Sequence, residues 1–366
     1  MSIYNQVTVI IPSYKPDEKL LSTLDSILKQ GFLDILVVDD GGGEKYAPVF
    51  DKVKEYPHCT VLHHPVNRGK GAALKTAFAY YLANRPDSVG VVTADADGQH
   101  LAKDIDKVAS AMAESHTVVL GCRDFSEPHV PPRSKSGNNI SRFLFRSLLG
   151  SRISDTQTGL RAIPREYLPA VASAEGDRYE YETHMLFLIA REKIPMTEQT
   201  IETVYLDNNA SSHFRVLHDS ARIYAKPLRF LGHSLLSAAA DTLLFLLLFT
   251  LMNRILITHP LTILAALAGA RILSGTLNYF LNAMHVFQPG RPGFASWIRY
   301  TGLAAVFFCI TAVCLALYPL YSFETQGAIL GSVILVKSVA GILLFFPSFR
   351  IQHNHVFTKR TNTNKM

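Results

Sequence analysis

The residues best suited to chemistry lie in Val91-Val92-Thr93-Ala94-Asp95-Ala96-Asp97-Gly98-Gln99-His100. A short β-branched, apolar run ends there in two acids spaced i, i+2, followed by glycine and a neutral oxygen donor. Side chains alternate faces along a strand, so Asp95 and Asp97 can point the same way from its carboxyl end. Gly98 permits a sharp turn. Two carboxylates and a glutamine carbonyl are hard oxygen donors, a set that suits Mg2+ or Mn2+ shared with a diphosphate. Asp-x-Asp-Gly is also a common composition for a polar turn after a buried strand. The segments around it weigh toward the metal.

Those acids need a scaffold, and the preceding chain supplies one. Val7 to Ile11 reads as a buried parallel strand stopped by Pro12, and Ser13-Tyr14-Lys15-Pro16 as a loop. Asp17 can cap a helix carrying Leu20, Leu21, Leu24, Ile27 and Leu28, which Gly31 ends. Ile35 to Val38 is a second strand and runs into Asp39-Asp40-Gly41-Gly42-Gly43. Strands alternating with helices indicate an open α/β sheet, whose ligands sit beyond the carboxyl ends of the strands. These polar loops therefore converge on one crevice.

A third strand near Thr60 to His63 leads into Asn67-Arg68-Gly69-Lys70-Gly71, which opens a helix running to about Asn84. A helix amino terminus beside a lysine is a ready anion site, and a loop with a solvated lysine is the alternative. The P-loop spacing is absent, as is a G-x-G-x-x-G after the first strand, so neither a P-loop nucleotidase nor a Rossmann dehydrogenase is expected. Val118 to Gly121 is a further strand, followed by Cys122-Arg123-Asp124. After the Pro- and Arg-rich stretch Pro128 to Gly137, Ile140, Phe143, Leu144 and Leu148 have helical spacing, with Arg142 and Arg146 turned elsewhere. Such a basic amphipathic helix suits a membrane interface, or packs on the sheet as an ordinary surface helix. Ser154 to Arg161 is a polar loop, and Tyr179-Glu180-Tyr181-Glu182 begins a helix. Acids in a first turn favour the helix dipole, so Glu180 and Glu182 carry no functional expectation. Ile201 to Leu206 is expected to be the last strand, and Ser211 to Arg229 a basic approach to a bilayer.

The 366 residues suffice for a catalytic domain and a second unit, and the net charge of +6 is unevenly spread. Nearly all acids precede Asp219, whereas the basic residues cluster around Arg133 to Arg146, Arg215 to Arg229 and Arg350 to Lys365, flanking apolar segments. That distribution fits anionic lipid or phosphate and disfavours nucleic acid, which would call for one dense basic face. Cys59, Cys122, Cys309 and Cys314 have neither ligand spacing nor a disulfide pattern, which fits a reducing cytoplasmic side. The amino terminus leads straight into a strand pattern, so no signal peptide is expected.

Residues 231–252, 260–284, 298–320 and 326–348 are apolar stretches close to the ~20 residues that span a bilayer. Four in succession argue against a buried helical core. Arg254 is the only Lys or Arg at 253–259 and there is none at 321–326, while Arg291, Arg299, Arg350, Lys359, Arg360 and Lys365 lie at the opposite ends. The positive-inside rule then places both termini and the soluble half in the cytoplasm. Tyr279-x-Leu281-Asn282-x-x-His285-Val286-Phe287 and Phe349-x-Ile351-Gln352-x-x-His355-Val356-Phe357 form a weak repeat, as two tandem helical hairpins would. Asp241, Arg271 and Lys337 fall within spans, where unpaired charge is costly. Asp241 is expected to pair with Arg271, and Lys337 to snorkel.

Taken in order, Pro12-Ser13-Tyr14, Val38-Asp39-Asp40-Gly41, Asn67-Arg68-Gly69-Lys70-Gly71, Asp95-Ala96-Asp97-Gly98-Gln99-His100, Gly121-Cys122-Arg123 and Asp155-Thr156-Gln157-Thr158-Gly159-Leu160-Arg161 resemble an inverting family 2 glycosyltransferase of the polyprenyl-phosphate, dolichol-phosphate mannosyltransferase-like type. The likeness covers about the first 220 residues. Lys15-Pro16 stands where the family usually has Asn-Glu, and Gly42 where Ser is common. The Gln-x-x-Arg-Trp element of processive polysaccharide synthases is missing. The resemblance implies an α/β GT-A fold and a metal held by Asp95, Asp97 and Gln99. It implies a donor pocket lined by Pro12, Tyr14, Asp39, Asp40, Lys70 and Asp95. It also implies an acceptor phosphate held by Arg123, Arg133, Ser134, His213 and Arg215, with Asp95, Asp97, Arg123 and Arg133 carrying the catalysis.

The apolar half resembles a GtrA-like four-span, all-α domain. The expected organisation is a GT-A domain over 1–210, a basic juxtamembrane segment over 211–230, a transmembrane domain over 231–350 and a cytoplasmic tail over 351–366. The expected activity moves one sugar from a nucleotide sugar, UDP-linked or GDP-mannose, to undecaprenyl or dolichyl phosphate in the cell membrane. The partners are then that nucleotide-sugar donor, the polyprenyl-phosphate acceptor and the bilayer, with a homo-oligomer left open. A lipid-linked-sugar flippase with a donor-sensing soluble half is the competing reading, and a donor-binding regulator a third.

Overall fold

The computed structural model describes residues 3–127, 130–149, 153–202, 225–255, 260–287, 293–317 and 326–357. The chain divides into two compact units, Met1–Ile223 and Tyr224–Met366.

In the first unit the apolar runs become strands of one sheet because they are covered on both faces. Val9, Ile10, Ile11, Ile35, Val37, Val91 and Val92 have no exposed surface. In chain order the elements are β1 (Val7–Ser13), α1 (Lys19–Gln30), β2 (Ile35–Asp39), α2 (Ala47–Glu55), β3 (Cys59–His63), α3 (Lys70–Asn84), β4 (Gly90–Thr93), α4 (Ala102–Ser115) and β5 (Val118–Arg123). They continue with α5 (Pro132–Leu149), β6 (Arg161–Pro164), α6 (Leu168–Ala172), α7 (Glu180–Glu192) and β7 (Met196–Ile201). The sheet order is β3-β2-β1-β4-β6-β5-β7. Neighbours are parallel except at β6, which runs antiparallel to both β4 and β5. This mixed α/β sheet is the GT-A architecture expected.

The reversal at β6 decides the geometry. Because β6 opposes both neighbours, β5 points the same way as β4, and the carboxyl ends of β1, β2, β4 and β5 share one edge. The chain enters β6 at that same edge, which brings residues 154–160 beside the end of β4.

Three local expectations are corrected. Residues 161–164 form β6 rather than the end of a loop; Arg161 is buried, so no alternation marks the strand. Among the described residues the last strand is β7, Met196–Ile201, which starts before the expected 201–206, of which 203–206 lie outside the described residues. It lies at the sheet's edge, where polar residues such as Thr197, Glu198 and Gln199 are tolerated. Finally, α5 begins at Pro132 within the Pro-rich stretch, since proline fits a first helical turn. On α5, Ile140 and Phe143 are 59 % and 56 % exposed, whereas Asn138, Ser141 and Phe145 turn inward. Of the predicted apolar stripe, Ile140 and Phe143 therefore face outward, and the side chains of Leu144 and Leu148 lie outside the described residues.

The second unit consists of α8 (Ala225–Ile255), α9 (Pro260–Asn282), α10 (Phe294–Leu317) and α11 (Gln326–Ile351). Each contains a stretch long and apolar enough to cross a membrane: Leu228–Arg254, Leu261–Phe287, Phe294–Leu317 and Leu330–Ile351. Leu243, Ile272, Leu317 and Ile342 are 68–81 % exposed, a cost in water that a lipid surround removes. The predicted repeat is structural. Both α9 and α11 run on into a π-helical turn, Ala283–Phe287 and Gln352–Val356. The rings of Phe287 and Phe357, equivalent in the repeat, stack at 5.0 Å.

Asp241 pairs with Arg271 as expected and, more closely, with Lys337. Its Oδ2 lies 2.8 Å from Lys337 Nζ and 3.7 Å from the Arg271 guanidinium, and its Oδ1 accepts from Ser274 Oγ at 2.9 Å. Lys337 does not snorkel, because its ammonium also sits over the Phe245 ring and is buried with its acid partner. The basic residues at 291, 359, 360 and 365 lie outside the described residues.

Candidate active site

The predicted acidic loop closes on itself at the end of β4. Asp95 N–H donates to His100 Nδ1 at 3.0 Å, and Gln99 N–H to Asp97 Oδ1 at 3.0 Å, with Gly98 at φ +78° between them. Thr93 Oγ1 donates to the Gly159 carbonyl at 2.8 Å. That bond presses the 154–160 loop onto the acids so closely that a Cβ on Gly159 would stand 2.4 Å from Asp95 Oδ2.

Opposite Asp95 stands Lys70, the first residue of α3. Its Nζ is 2.7 Å from Asp95 Oδ1 and 3.0 Å from Glu182 Oε2. Glu182 arrives because α3 and α7 touch: a Cβ on Gly71 would lie 2.5 Å from Tyr181 Cβ. Arg161, fully buried, donates from its guanidinium to the Glu182 carbonyl at 2.7 Å and to the Thr158 carbonyl at 3.0 Å, joining α7 to the 154–160 loop. Sequence reasoning missed both Glu182 and Arg161, since an acid in a first helical turn and an arginine after a loop carry no distinguishing pattern.

The charges shift one another. Burial works against ionising Asp95, yet the Lys70 ammonium, together with His100 and Arg123, outweighs it and holds the carboxyl at about 2. Burial, and after it the charge of Asp95, pushes Asp97 up. Burial lowers His100. For Lys70, burial is overcome by Asp95 and Glu182, and its ammonium is held more firmly than usual.

The second acid pair lies at the end of β2 and is held by hydrogen bonds. Asp40 is buried; its Oδ1 meets His64 Nδ1 at 2.7 Å and Arg68 N–H at 3.0 Å, and its Oδ2 accepts from Gly69 N–H at 2.8 Å. It braces the Asn67–Gly71 loop that presents Lys70. Asp39 accepts from Gly42 N–H at 2.9 Å and contacts His63 Nδ1 at 2.8 Å. Pro12 and Tyr14 stand half-buried at the end of β1, on the same edge.

Arg123, at the end of β5, grips buried Asp155 side-on, with Nε to Oδ2 at 2.7 Å and a terminal nitrogen to Oδ1 at 3.2 Å. Beside it opens a cavity of about 290 Å³ lined by Arg123, Ser126, Lys135, Asn139, Arg142 and Ser154. Lys135, Asn139 and Arg142 follow helical spacing on α5, so one face of that helix brings two further cations that sequence reasoning did not assign. Ser134 is half-buried on α5. The Arg133 side chain, and all of His213 and Arg215, lie outside the described residues. A larger cavity of about 490 Å³ sits at the opposite edge of the sheet, where Asp34 is occupied by Arg85 and Thr8. It holds none of the predicted site residues.

Asp95, Asp97 and Gln99 fit a divalent ion of a particular kind. Among the described residues no group of three His, Cys, Asp or Glu could hold a metal unaided. Mg2+ is commonly held by one or two carboxylates together with substrate phosphates, so this donor set suits an ion that shares a diphosphate.

Residues 8–172 match the family described as glycosyl transferase family 2. A polyprenol monophosphomannose synthase of Mycolicibacterium smegmatis is 31% identical over 185 residues, 47% of this chain and 67% of that protein. This chain belongs to glycosyl transferase family 2. The family 2 stretch holds β1 through α6, including Lys70, Asp95, Asp97, Gln99, Arg123 and the loop before β6. The family 2 chain is also similar to a UDP-N-acetylglucosamine–dolichyl-phosphate N-acetylglucosaminyltransferase of Methanococcus voltae, 27% identical over 222 residues, 55% of this chain and 86% of that protein. An uncharacterized protein of Methanocaldococcus jannaschii is 29% identical over 218 residues, 58% of this chain and 87% of that protein.

Proposed function

We propose that this protein moves one sugar from a nucleoside diphosphate sugar, a UDP-sugar in preference to GDP-mannose, onto a polyprenyl phosphate, with inversion at the anomeric carbon. One observation carries the reading: the acids with Lys70 and the cavity of Arg123, Lys135 and Arg142 open at the same edge of the sheet. The relatives named for polyprenol and dolichyl phosphate support the acceptor class. Four helices suited to a bilayer support an acceptor whose tail stays in lipid.

The donor diphosphate lies against Lys70 and the amino terminus of α3. Asp95, Asp97 and Gln99 would hold Mg2+ or Mn2+, which neutralises charge on a departing diphosphate. The acceptor is already a nucleophile, since a phosphomonoester's second pKa is ~6, and no dedicated base is required. One of its oxygens bonds to the anomeric carbon while the bond to the diphosphate oxygen breaks on the opposite face. Arg123, Lys135 and Arg142 hold the acceptor dianion in line against repulsion from the donor, with Arg133, Ser134, His213 and Arg215 as further contacts. Arg123 keeps its direction through Asp155. The basic loop residues support a reading in which this chemistry takes place on the cytoplasmic face of the cell membrane.

Membranes holding the full chain, incubated with a panel of labelled UDP- and GDP-sugars and extracted for lipid, test the proposal. Label enters the lipid phase from one donor, and Asp97→Ala removes it. Lipid that stays unlabelled across the panel overturns the reading. The buried Asp241–Lys337 pair with Arg271 nearby favours a second activity, transbilayer movement of the lipid-linked product. Such movement in vesicles without added nucleotide sugar supports it, and product formation in detergent tests the transfer alone.

A further inference from the structure

Lys70 already has two carboxylates. Its ammonium bridges Asp95 and Glu182 and is only 17 % exposed. The backbones of the two acids are fixed independently of the lysine. Asp95 is held by its turn and by the pressure of Gly159, and Glu182 by the Tyr181–Gly71 packing and the Arg161 bond to its carbonyl. The lysine, by contrast, is a point charge on a flexible four-carbon stem. It occupies an oxygen of Asp95, one of the residues assigned to the divalent ion.

We infer that Lys70 is a placeholder cation on Asp95, anchored by Glu182 and handed to the donor diphosphate when the donor arrives. The inference rests on the donor-and-metal reading above and adds a binding order to it. A divalent ion alone competes with an ammonium for Asp95 and suffers its repulsion. A diphosphate offers that ammonium another anion and clears the acid. Metal and nucleotide therefore bind with positive coupling, each raising the other's affinity by the same factor. Glu182, which has no contact with the ion in this scheme, acts as a positioning residue for Lys70.

The test is a Mn2+ titration of the full-length protein in detergent, read by the paramagnetic resonance of the free ion, with and without UDP or GDP. In Lys70→Met, Mn2+ alone binds at least fivefold more tightly than to wild type, and the enhancement caused by nucleotide shrinks by at least as much. Lys75→Met removes the same charge one turn along α3, from a lysine paired with Asp177, and leaves Mn2+ affinity within twofold. If Lys70→Met binds Mn2+ alone less than fivefold more tightly, or Lys75→Met does as much, occupation of Asp95 by the lysine is wrong. Lys70→Gln, which keeps donors to both acids, repeats the measurement should the methionine variant not fold. Wild-type protein that binds no Mn2+ even with UDP or GDP overturns the metal reading itself, and this inference with it.

Discussion

Asn282 donates from Nδ2 to Gln352 Oε1 at 3.2 Å in the interior of the membrane unit, and the two residues hold the same place in a repeat offset by 70 positions. Other contacts come in reciprocal pairs at that offset. Tyr279 meets Phe357 at 5.7 Å and Phe287 meets Phe349 at 5.4 Å; Phe230 meets Phe349 at 5.0 Å and Tyr300 meets Tyr279 at 5.3 Å. Residue i touches j and the equivalent of i touches the equivalent of j, as in an isologous interface. The unit is two helical hairpins joined face to face. Asn282→Leu and Gln352→Leu should each cost about 0.6–1.5 kcal/mol of stability in detergent, and the double variant less than their sum. Strict additivity in an unfolding titration would show that the pair does not act as one.

Charge supplies a larger effect in the same unit. Asp241→Asn leaves Lys337 and Arg271 without their carboxylate and should destabilise by about 3–5 kcal/mol. Adding Lys337→Met should recover part of that loss. The yield of folded protein and its unfolding midpoint measure both, and a double variant no better than Asp241→Asn would refute the pairing.

Asp40 is expected to act on stability before it acts on the donor. Asp40→Ala abandons two backbone amides and His64, a loss of about 2–4 kcal/mol. Thermal unfolding checks this. A variant with wild-type Tm and only a raised donor KM would assign the carboxylate to the nucleotide instead.

Removing divalent ions with a chelator should stop lipid-linked sugar formation, and Mg2+ or Mn2+ should restore it. Asp97→Ala should lower kcat by roughly a thousandfold or more, the equivalent of several kcal/mol of charge stabilisation. Near-normal turnover with metal present would mean the ion is held elsewhere.

On α5, Arg142→Ala and Lys135→Ala should each raise the KM for polyprenyl phosphate roughly tenfold, through loss of a charged contact, with little change in donor KM. Steady-state kinetics with each substrate varied in turn separates the two. An effect on donor KM alone would move the cavity to the donor side.

What the sequence determined by itself is local in origin. β-Branched runs ending in Pro12, Asp39-Asp40 and Asp95-Ala96-Asp97 declare strands and their carboxyl ends, because strand propensity and turn chemistry act over a few residues. Four apolar stretches of bilayer length declare the second unit in the same way. Tertiary structure alone decided which distant groups meet. Glu182 reaches Lys70, and Lys337 joins Arg271 on Asp241, through helix packing that joins residues some hundred positions apart. The reversed strand β6 brings Gly159 against Asp95, and its four buried residues carry no period to announce it. A short side chain's partner across the sheet depends on register and close packing, which are properties of the assembled fold and not of the neighbours in the chain.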